Sequence, residues 1–99
     1  MNSESVLDIF REITRIPRES GHEEKMIEFL QKFAAEHNLA CKTDATGNVV
    51  ITKEATPGKE NVPAIALQSH QDMVCEKTAG SNHDFTKDPI NYVIKDGWM

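Results

Sequence analysis

The side chains best suited to chemistry in this sequence belong to three consecutive residues, His70, Gln71 and Asp72. They follow an apolar run, residues 64–67, that predicts a buried β-strand. Alternate side chains of an extended chain point to the same side, so we expect His70 beside Asp72, with Gln71 opposite. A neutral imidazole ligates zinc, and a neighbouring carboxylate can orient the ring. The motif therefore indicates a metal site beyond the carboxyl end of a strand, where open α/β sheets bind ligands.

This HxD motif has a second interpretation. A structural histidine that is hydrogen-bonded to an aspartate at a strand terminus gives the same pattern and, without further context, is the more common case. A catalytic zinc also takes three protein ligands and an open position, and the sequence shows no convincing full set. We do not expect His83, Asp84 or Asp88 to complete one, because they lie in a polar loop where charged side chains are usually solvated.

Nucleophilic chemistry has less support. Ser69 precedes His70, but adjacent residues on a strand point to opposite faces, so the hydroxyl cannot meet the imidazole as a nucleophile meets its base. Cys41 and Cys75 have neither zinc-knuckle spacing nor the density of a disulfide scaffold, and we expect reduced, buried thiols. Nucleotide-binding glycine motifs and calcium-binding loop motifs are absent from the sequence.

Two amphipathic helices precede the motif. Apolar residues recur every three or four positions between residues 6 and 16 and again between residues 26 and 34, which predicts two helices with one apolar face each. Pro17 ends the first helix, because proline cannot donate to the helical ladder and disfavours helical geometry in the residue before it. Residues 20–23 have the spacing of a capping box, which predicts the start of the second helix.

The remaining segments predict a β-sheet. Residues 41–44 and 49–53 flank a four-residue loop and predict a hairpin. The apolar run at 64–67 predicts a central strand that is covered on both faces. A polar, turn-rich loop at 78–89 leads to another β-like segment at 92–94. The predicted fold class is therefore α/β, with two helices followed by a mixed β-sheet.

The composition is that of a soluble globular domain. The chain has 99 residues and a net charge of -5. No apolar run approaches the roughly 20 residues that cross a bilayer, which argues against a membrane partner. The eleven basic residues are scattered among sixteen acidic ones, which argues against a nucleic-acid partner. The first residues lack the basic and apolar regions of a secretory signal, so we expect a cytoplasmic protein.

Four blocks of sequence together resemble the aminoacyl-histidine dipeptidases, a zinc metallopeptidase family also called Xaa-His or cytosol non-specific dipeptidases. The blocks are IPRESGHEEK at 16–25, TGNVVI at 46–51, LQSHQDMVCEK at 67–77 and HDFTKDPI at 83–90. The resemblance spans nearly the whole chain and is far more specific than HxD alone. The sequence departs from the family at Ser69, where glycine is usual, and at Gln71, where an aliphatic residue is usual. These two changes are expected to alter the pocket wall without removing the ligand.

The resemblance implies that residues 1–99 form the incomplete N-terminal portion of a zinc-peptidase-like catalytic domain, without the lid domain. It implies that His70 is a metal ligand of a two-zinc site and that Asp72 is the catalytic aspartate that fixes it. The complete enzyme would hydrolyse dipeptides such as Xaa-His with zinc or another divalent metal, and the resemblance permits a homodimer. The remaining ligands and the glutamate base would lie beyond Met99, so the 99-residue chain is expected to be inactive alone.

A function of a different class remains open. The chain is also compatible with a self-contained, non-enzymatic binding or assembly module that keeps the N-terminal layers of the peptidase. In either case a central apolar strand needs neighbours on both edges and cover on both faces. We therefore expect marginal stability and a tendency to associate.

Overall fold

The computed structural model describes residues 3–99. The regular elements, in chain order, are α1 (Ser3–Thr14), α2 (Glu24–Glu36), β1 (Ala40–Thr43) and β2 (Val49–Thr52). Two helices followed by a sheet is the predicted α/β order, and the sheet in the described residues is a two-stranded antiparallel one. Neither helix in residues 3–99 has the length and apolar content needed to cross a membrane.

The first helix ends at Thr14, three residues before Pro17, as the sequence predicts. The carbonyl groups at the end of a helix have no partner within the helix. The Arg18 guanidinium supplies one, donating to the backbone carbonyl oxygens of Ile13 at 2.5 Å and Ile16 at 3.3 Å. Arg18 therefore holds the connector between the two helices, residues 15–23, against the end of α1.

The second helix lies where it was predicted, but its predicted cap is wrong. Glu23 occupies the N-cap position, and no side chain caps the helix there. The Glu23 carboxylate instead accepts a hydrogen bond from the backbone N–H of Gly21 at 2.7 Å. The Ser20 hydroxyl donates to Asp72, far along the chain. A tertiary contact has taken the place of the local capping bond.

The core is small, and its buried apolar side chains belong to α2. Ala34 is completely buried and Met26 is 5% exposed, and these are the buried apolar side chains of the described residues. Both belong to α2, the helix that contacts β1 and β2. So small a core gives little margin of stability, because burial of apolar surface is the dominant favourable term in folding.

The hairpin forms as predicted, with β1 and β2 antiparallel and Thr43 opposite Val49. A single carboxylate organises its loop. Asp44 Oδ1 accepts hydrogen bonds from the three backbone N–H groups of residues 46–48, each at 2.9 Å. The Asn48 side-chain amide donates to Oδ2 of the same carboxylate, also at 2.9 Å.

We expect the hairpin loop to loosen in acid. The Asn48 side-chain amide, followed by backbone N–H groups, lowers the pKa of Asp44. Because the folded-state pKa is depressed, Asp44 contributes stability above its unfolded pKa of about 4 and loses it as pH falls through the lower folded pKa. Hydrogen exchange measured by NMR should show that the protection factors of the amides of residues 46–48 fall as the pH is lowered below about 4. The Asp44→Asn variant should show weaker protection of these amides at neutral pH, and its protection should not fall further in acid. Protection factors in the parent that stay constant as the pH is lowered would contradict the prediction.

Residues 64–67, predicted as a central strand, form no strand in the described part of the chain. The side chains of Ile65 and Leu67 are 87% and 97% exposed. The prediction is wrong for this chain because an apolar run is buried only where other strands and helices pack on it. Within residues 3–99, the sheet consists of β1 and β2 alone, and neither pairs with this segment.

The predicted β-like segment at 92–94 also forms no strand. The structure has a tight turn directly after it, with reciprocal backbone hydrogen bonds between Lys95 and Trp98 at 2.8 and 2.9 Å. The two central residues, Asp96 and Gly97, have φ angles of 53° and 80°. As at 64–67, apolar side chains without neighbouring strands do not by themselves fix a sheet.

Candidate functional site

The structure brings His70 and Asp72 together. His70 Nδ1 lies 2.9 Å from Asp72 Oδ1 and 2.9 Å from the backbone carbonyl oxygen of Asp72. Both oxygens are acceptors, so Nδ1 carries the proton and donates it. The lone pair is then on Nε2, in a side chain that is 80% exposed. The imidazole therefore presents Nε2 as the atom able to ligate a metal.

The second oxygen of the Asp72 carboxylate is also bound. Oδ2 accepts a hydrogen bond from the Ser20 hydroxyl at 2.5 Å. This hydrogen bond, and after it the one with His70, lowers the pKa of Asp72. Asp72 is therefore a carboxylate at neutral pH, the form that can accept hydrogen bonds at both oxygens.

Backbone pairing holds the connector of residues 18–20 beside the motif. The Met73 N–H donates to the Arg18 carbonyl oxygen at 2.8 Å, and the Ser20 N–H donates to the Met73 carbonyl oxygen at 3.0 Å. Glu19 and Met73 thereby form a parallel bridge. Through this bridge the residue after Asp72 is joined to the connector that Arg18 fastens to α1.

Gln71 does not bond to the His70–Asp72 pair and instead reaches the hairpin loop. Its Nε2 donates to the carbonyl oxygen of Gly47 at 2.7 Å. Gly47 has a φ angle of 99°, and a Cβ at that position would lie 3.3 Å from Cδ1 of Ile27, so the loop fits glycine best. Gln71 Oε1 is buried without a hydrogen-bond partner among residues 3–99. Gln71 therefore tethers the motif to the hairpin.

We expect Gln71→Glu to destabilise the fold by roughly 1 to 3 kcal/mol. The change removes the donor to Gly47 and places a carboxylate against a carbonyl oxygen in a partly buried position. Urea denaturation followed by circular dichroism measures the loss. Gln68→Glu makes the same charge change at an exposed position and should be close to neutral. Equal losses in the two variants would show that the tether contributes nothing.

The described residues hold one candidate ligand rather than a full set. Within residues 3–99, no three His, Cys, Asp or Glu side chains gather in a way that could hold a metal ion. His70 with Asp72 fits a single zinc ligand and the carboxylate that orients it. Asp84 and Asp88 do not join them, because both carboxylates accept hydrogen bonds from backbone N–H groups of their own loop.

Cys41 and Cys75 are free thiols, as predicted, but they are half-buried rather than buried. Partial burial, and after it the Glu19 carboxylate, raises the pKa of the Cys75 thiol, which disfavours the nucleophilic thiolate. Cys75 lines an open groove of about 430 Å³, whereas His70 and Asp72 do not. Neither the groove nor the thiol belongs to the candidate site.

Sequence reasoning missed the contacts of Ser20 and Gln71. The spacing of residues 20–23 predicts a helix cap for Ser20, and the resemblance implies that Gln71 alters the pocket wall. For Ser20 there was one signal in the sequence. The block at residues 16–25 carries part of the family resemblance although it contains no predicted metal ligand or base, which indicates a supporting role. For Gln71 the only signal was its polar side chain at a position that is usually aliphatic.

The chain is similar to dipeptidases from two organisms. Over all 99 residues it is 40% identical to the cytosol non-specific dipeptidase of Escherichia coli (strain K12), and it covers 20% of that protein. Its structure matches the crystal structure of the aminoacylhistidine dipeptidase of Vibrio alginolyticus with a TM-score of 0.84 and 43% identity, over 90% of this chain and 18% of that one. No protein-family model matches the sequence. The chain is therefore homologous to about one fifth of a longer dipeptidase, and its fold is that of the matching part.

Proposed function

We propose that this chain, as a homologue of part of the cytosol non-specific dipeptidase, is the incomplete N-terminal portion of the catalytic domain of a metal-dependent dipeptidase. Its contribution to the active site is a metal ligand, His70, and the catalytic carboxylate Asp72. The observation that carries the proposal is the hydrogen bond from His70 Nδ1 to Asp72, which leaves the lone pair on Nε2 of an exposed side chain. The lid domain, the other ligands and the general base lie outside residues 1–99, so the chain alone is inactive.

The geometry assigns a role to each of the two side chains. Asp72 accepts the hydrogen bond from Nδ1–H of His70 and fixes the plane of the ring. His70 then binds the metal through Nε2. A bound pair of zinc ions, or another divalent cation, would lower the pKa of the attacking water and act as a Lewis acid on the peptide carbonyl. Because the Asp72 carboxylate is occupied by its two hydrogen bonds, it serves as the partner of the histidine.

The substrate proposal is a dipeptide, with Xaa-His among the preferred sequences. It rests on the name of the structural relative, an aminoacylhistidine dipeptidase. The name of the E. coli relative supports a cytosolic location for the complete protein. A homodimer of the complete enzyme belongs to the same proposal.

A chimera tests this function. Residues 1–99 replace the matching 20% of the E. coli relative, and the purified product is assayed with zinc on a panel of dipeptides that includes Xaa-His. We expect hydrolysis by the chimera and none by the 99-residue chain. A folded chimera without dipeptidase activity would contradict the proposal and favour the non-enzymatic binding or assembly module.

A further inference from the structure

We infer that Ser20 is a positioning residue for His70 and acts through Asp72, an inference that rests on the proposed function. One carboxylate joins the two side chains. Asp72 Oδ2 accepts from the Ser20 hydroxyl at 2.5 Å, and Asp72 Oδ1 accepts from His70 Nδ1 at 2.9 Å. Ser20 lies 52 residues before Asp72 in the sequence. The hydroxyl holds the carboxylate so that its other oxygen faces the imidazole.

Packing alone does not hold this pair. The side chains of His70 and Asp72 are 80% and 34% exposed. A hydrogen bond to so exposed an imidazole contributes little rigidity by itself, because both side chains lose rotamer entropy when they are held in one geometry. A ligand has to be kept close to its productive orientation by bonds to more rigid elements. The hydrogen bond from the Ser20 hydroxyl connects the Asp72 side chain to the connector of residues 18–20.

Ser20 can perform this role because its backbone is held in place. Its N–H donates to the Met73 carbonyl oxygen at 3.0 Å, and the neighbouring Arg18 carbonyl oxygen accepts from the Met73 N–H at 2.8 Å. The Ser20 hydroxyl has one proton and two acceptors in reach, Asp72 Oδ2 at 2.5 Å and the Met73 carbonyl oxygen at 3.3 Å. The shorter, charge-assisted bond takes the proton. The connector thereby sets the position of the Asp72 carboxylate.

The tautomer of His70 reports this positioning. With Asp72 Oδ1 facing the ring, the proton resides on Nδ1 and Nε2 is free for a metal. Without the Ser20 hydroxyl, the carboxylate can rotate away from the ring. The Nδ1–H form then keeps only one of its two acceptors, the backbone carbonyl oxygen of Asp72 at 2.9 Å, so the Nε2–H form gains population and a mixture of the two tautomers results.

The test compares Ser20→Thr with Ser20→Val in the full chain, labelled with ¹⁵N-histidine. The two replacements have nearly the same shape, and only threonine keeps the hydroxyl. Two-bond ¹H–¹⁵N NMR spectra at about pH 8, where histidine is neutral, show which ring nitrogen carries the proton. We expect Nδ1–H for His70 in the parent and in the threonine variant. In the valine variant we expect the two nitrogen shifts of His70 to converge. His37, whose Nδ1 lies 2.9 Å from the Phe33 carbonyl oxygen, is the internal reference and should not change.

Three results would overturn the inference. They are a parent His70 that is protonated on Nε2, identical His70 spectra in the two variants, and loss of the fold in the valine variant alone. The last would show up, in a uniformly ¹⁵N-labelled sample of the same variant, as loss of the dispersed amide signals of residues 46–48, and it would make Ser20 a structural residue. The readout needs neither metal nor activity, so an inactive chimera combined with Nδ1–H on His70 would count against the proposed function alone.

Discussion

His70→Ala is expected to lower kcat/KM of the chimera for dipeptides by about 10³-fold or more. Loss of a metal ligand removes charge stabilisation worth several kcal/mol in the transition state, and each 1.4 kcal/mol is a factor of about ten in rate. Residues 3–99 bring no three metal-binding side chains together, so they offer no alternative site for the metal. The effect should appear in initial rates at saturating zinc.

Two further variants make this result specific. Asp72→Ala keeps the ligand and removes its orienting partner, so we expect a smaller loss of about 10- to 100-fold. His37→Ala removes an exposed imidazole that stacks on Phe33 of α2, and it should leave the rate unchanged. A His70→Ala chimera as active as the His37→Ala chimera would exclude His70 from the site.

Leu67→Asp is expected to have opposite consequences in the 99-residue chain and in the chimera. Leu67 is 97% exposed in the chain, so the change should alter the free energy of unfolding by no more than about 0.5 kcal/mol. In the chimera we expect the remaining four fifths of the relative to cover residues 64–67. An unpaired carboxylate in place of a buried leucine would then cost about 3 kcal/mol or more.

Thermal unfolding of both proteins measures this contrast, with Ala55→Asp in an exposed loop as the matched control. Sedimentation velocity adds a second readout. The chain is expected to associate through its exposed apolar side chains, including Ile65 and Leu67, and Leu67→Asp should reduce that association. If Leu67→Asp is harmless in a folded chimera, residues 64–67 are not a buried segment of the larger protein.

The parts of the fold that could be predicted from the sequence are those determined by neighbouring residues. The periodicity of α1 and α2 and the turn residues between β1 and β2 act over a few positions, and all four elements were placed correctly to within a few residues. Residues 64–67 illustrate the opposite case. Their apolar side chains would be buried only if other elements packed on them, and no element within residues 3–99 does so.

In the candidate site, too, local contacts could be predicted from the sequence and long-range contacts could not. The approach of His70 to Asp72 follows from their spacing of two residues and holds in the structure even though the expected strand does not form. The contacts of Ser20 and Gln71 span 52 and 24 residues, so they depend on the path of the backbone. Propensity and spacing contain no information on such contacts, so the spacing around Ser20 predicts only a cap for the nearest helix.

The central claim, that His70 ligates the metal of a dipeptidase, is tested most directly by the metal content of the chimera. Parent, His70→Ala and His37→Ala proteins would be loaded with zinc, dialysed, and analysed for zinc per chain by plasma mass spectrometry. If His70 is a ligand, the His70→Ala protein loses about one equivalent of zinc or more relative to the other two, because a site that lacks one of its few protein ligands binds weakly. The same zinc content in all three folded proteins would contradict the claim.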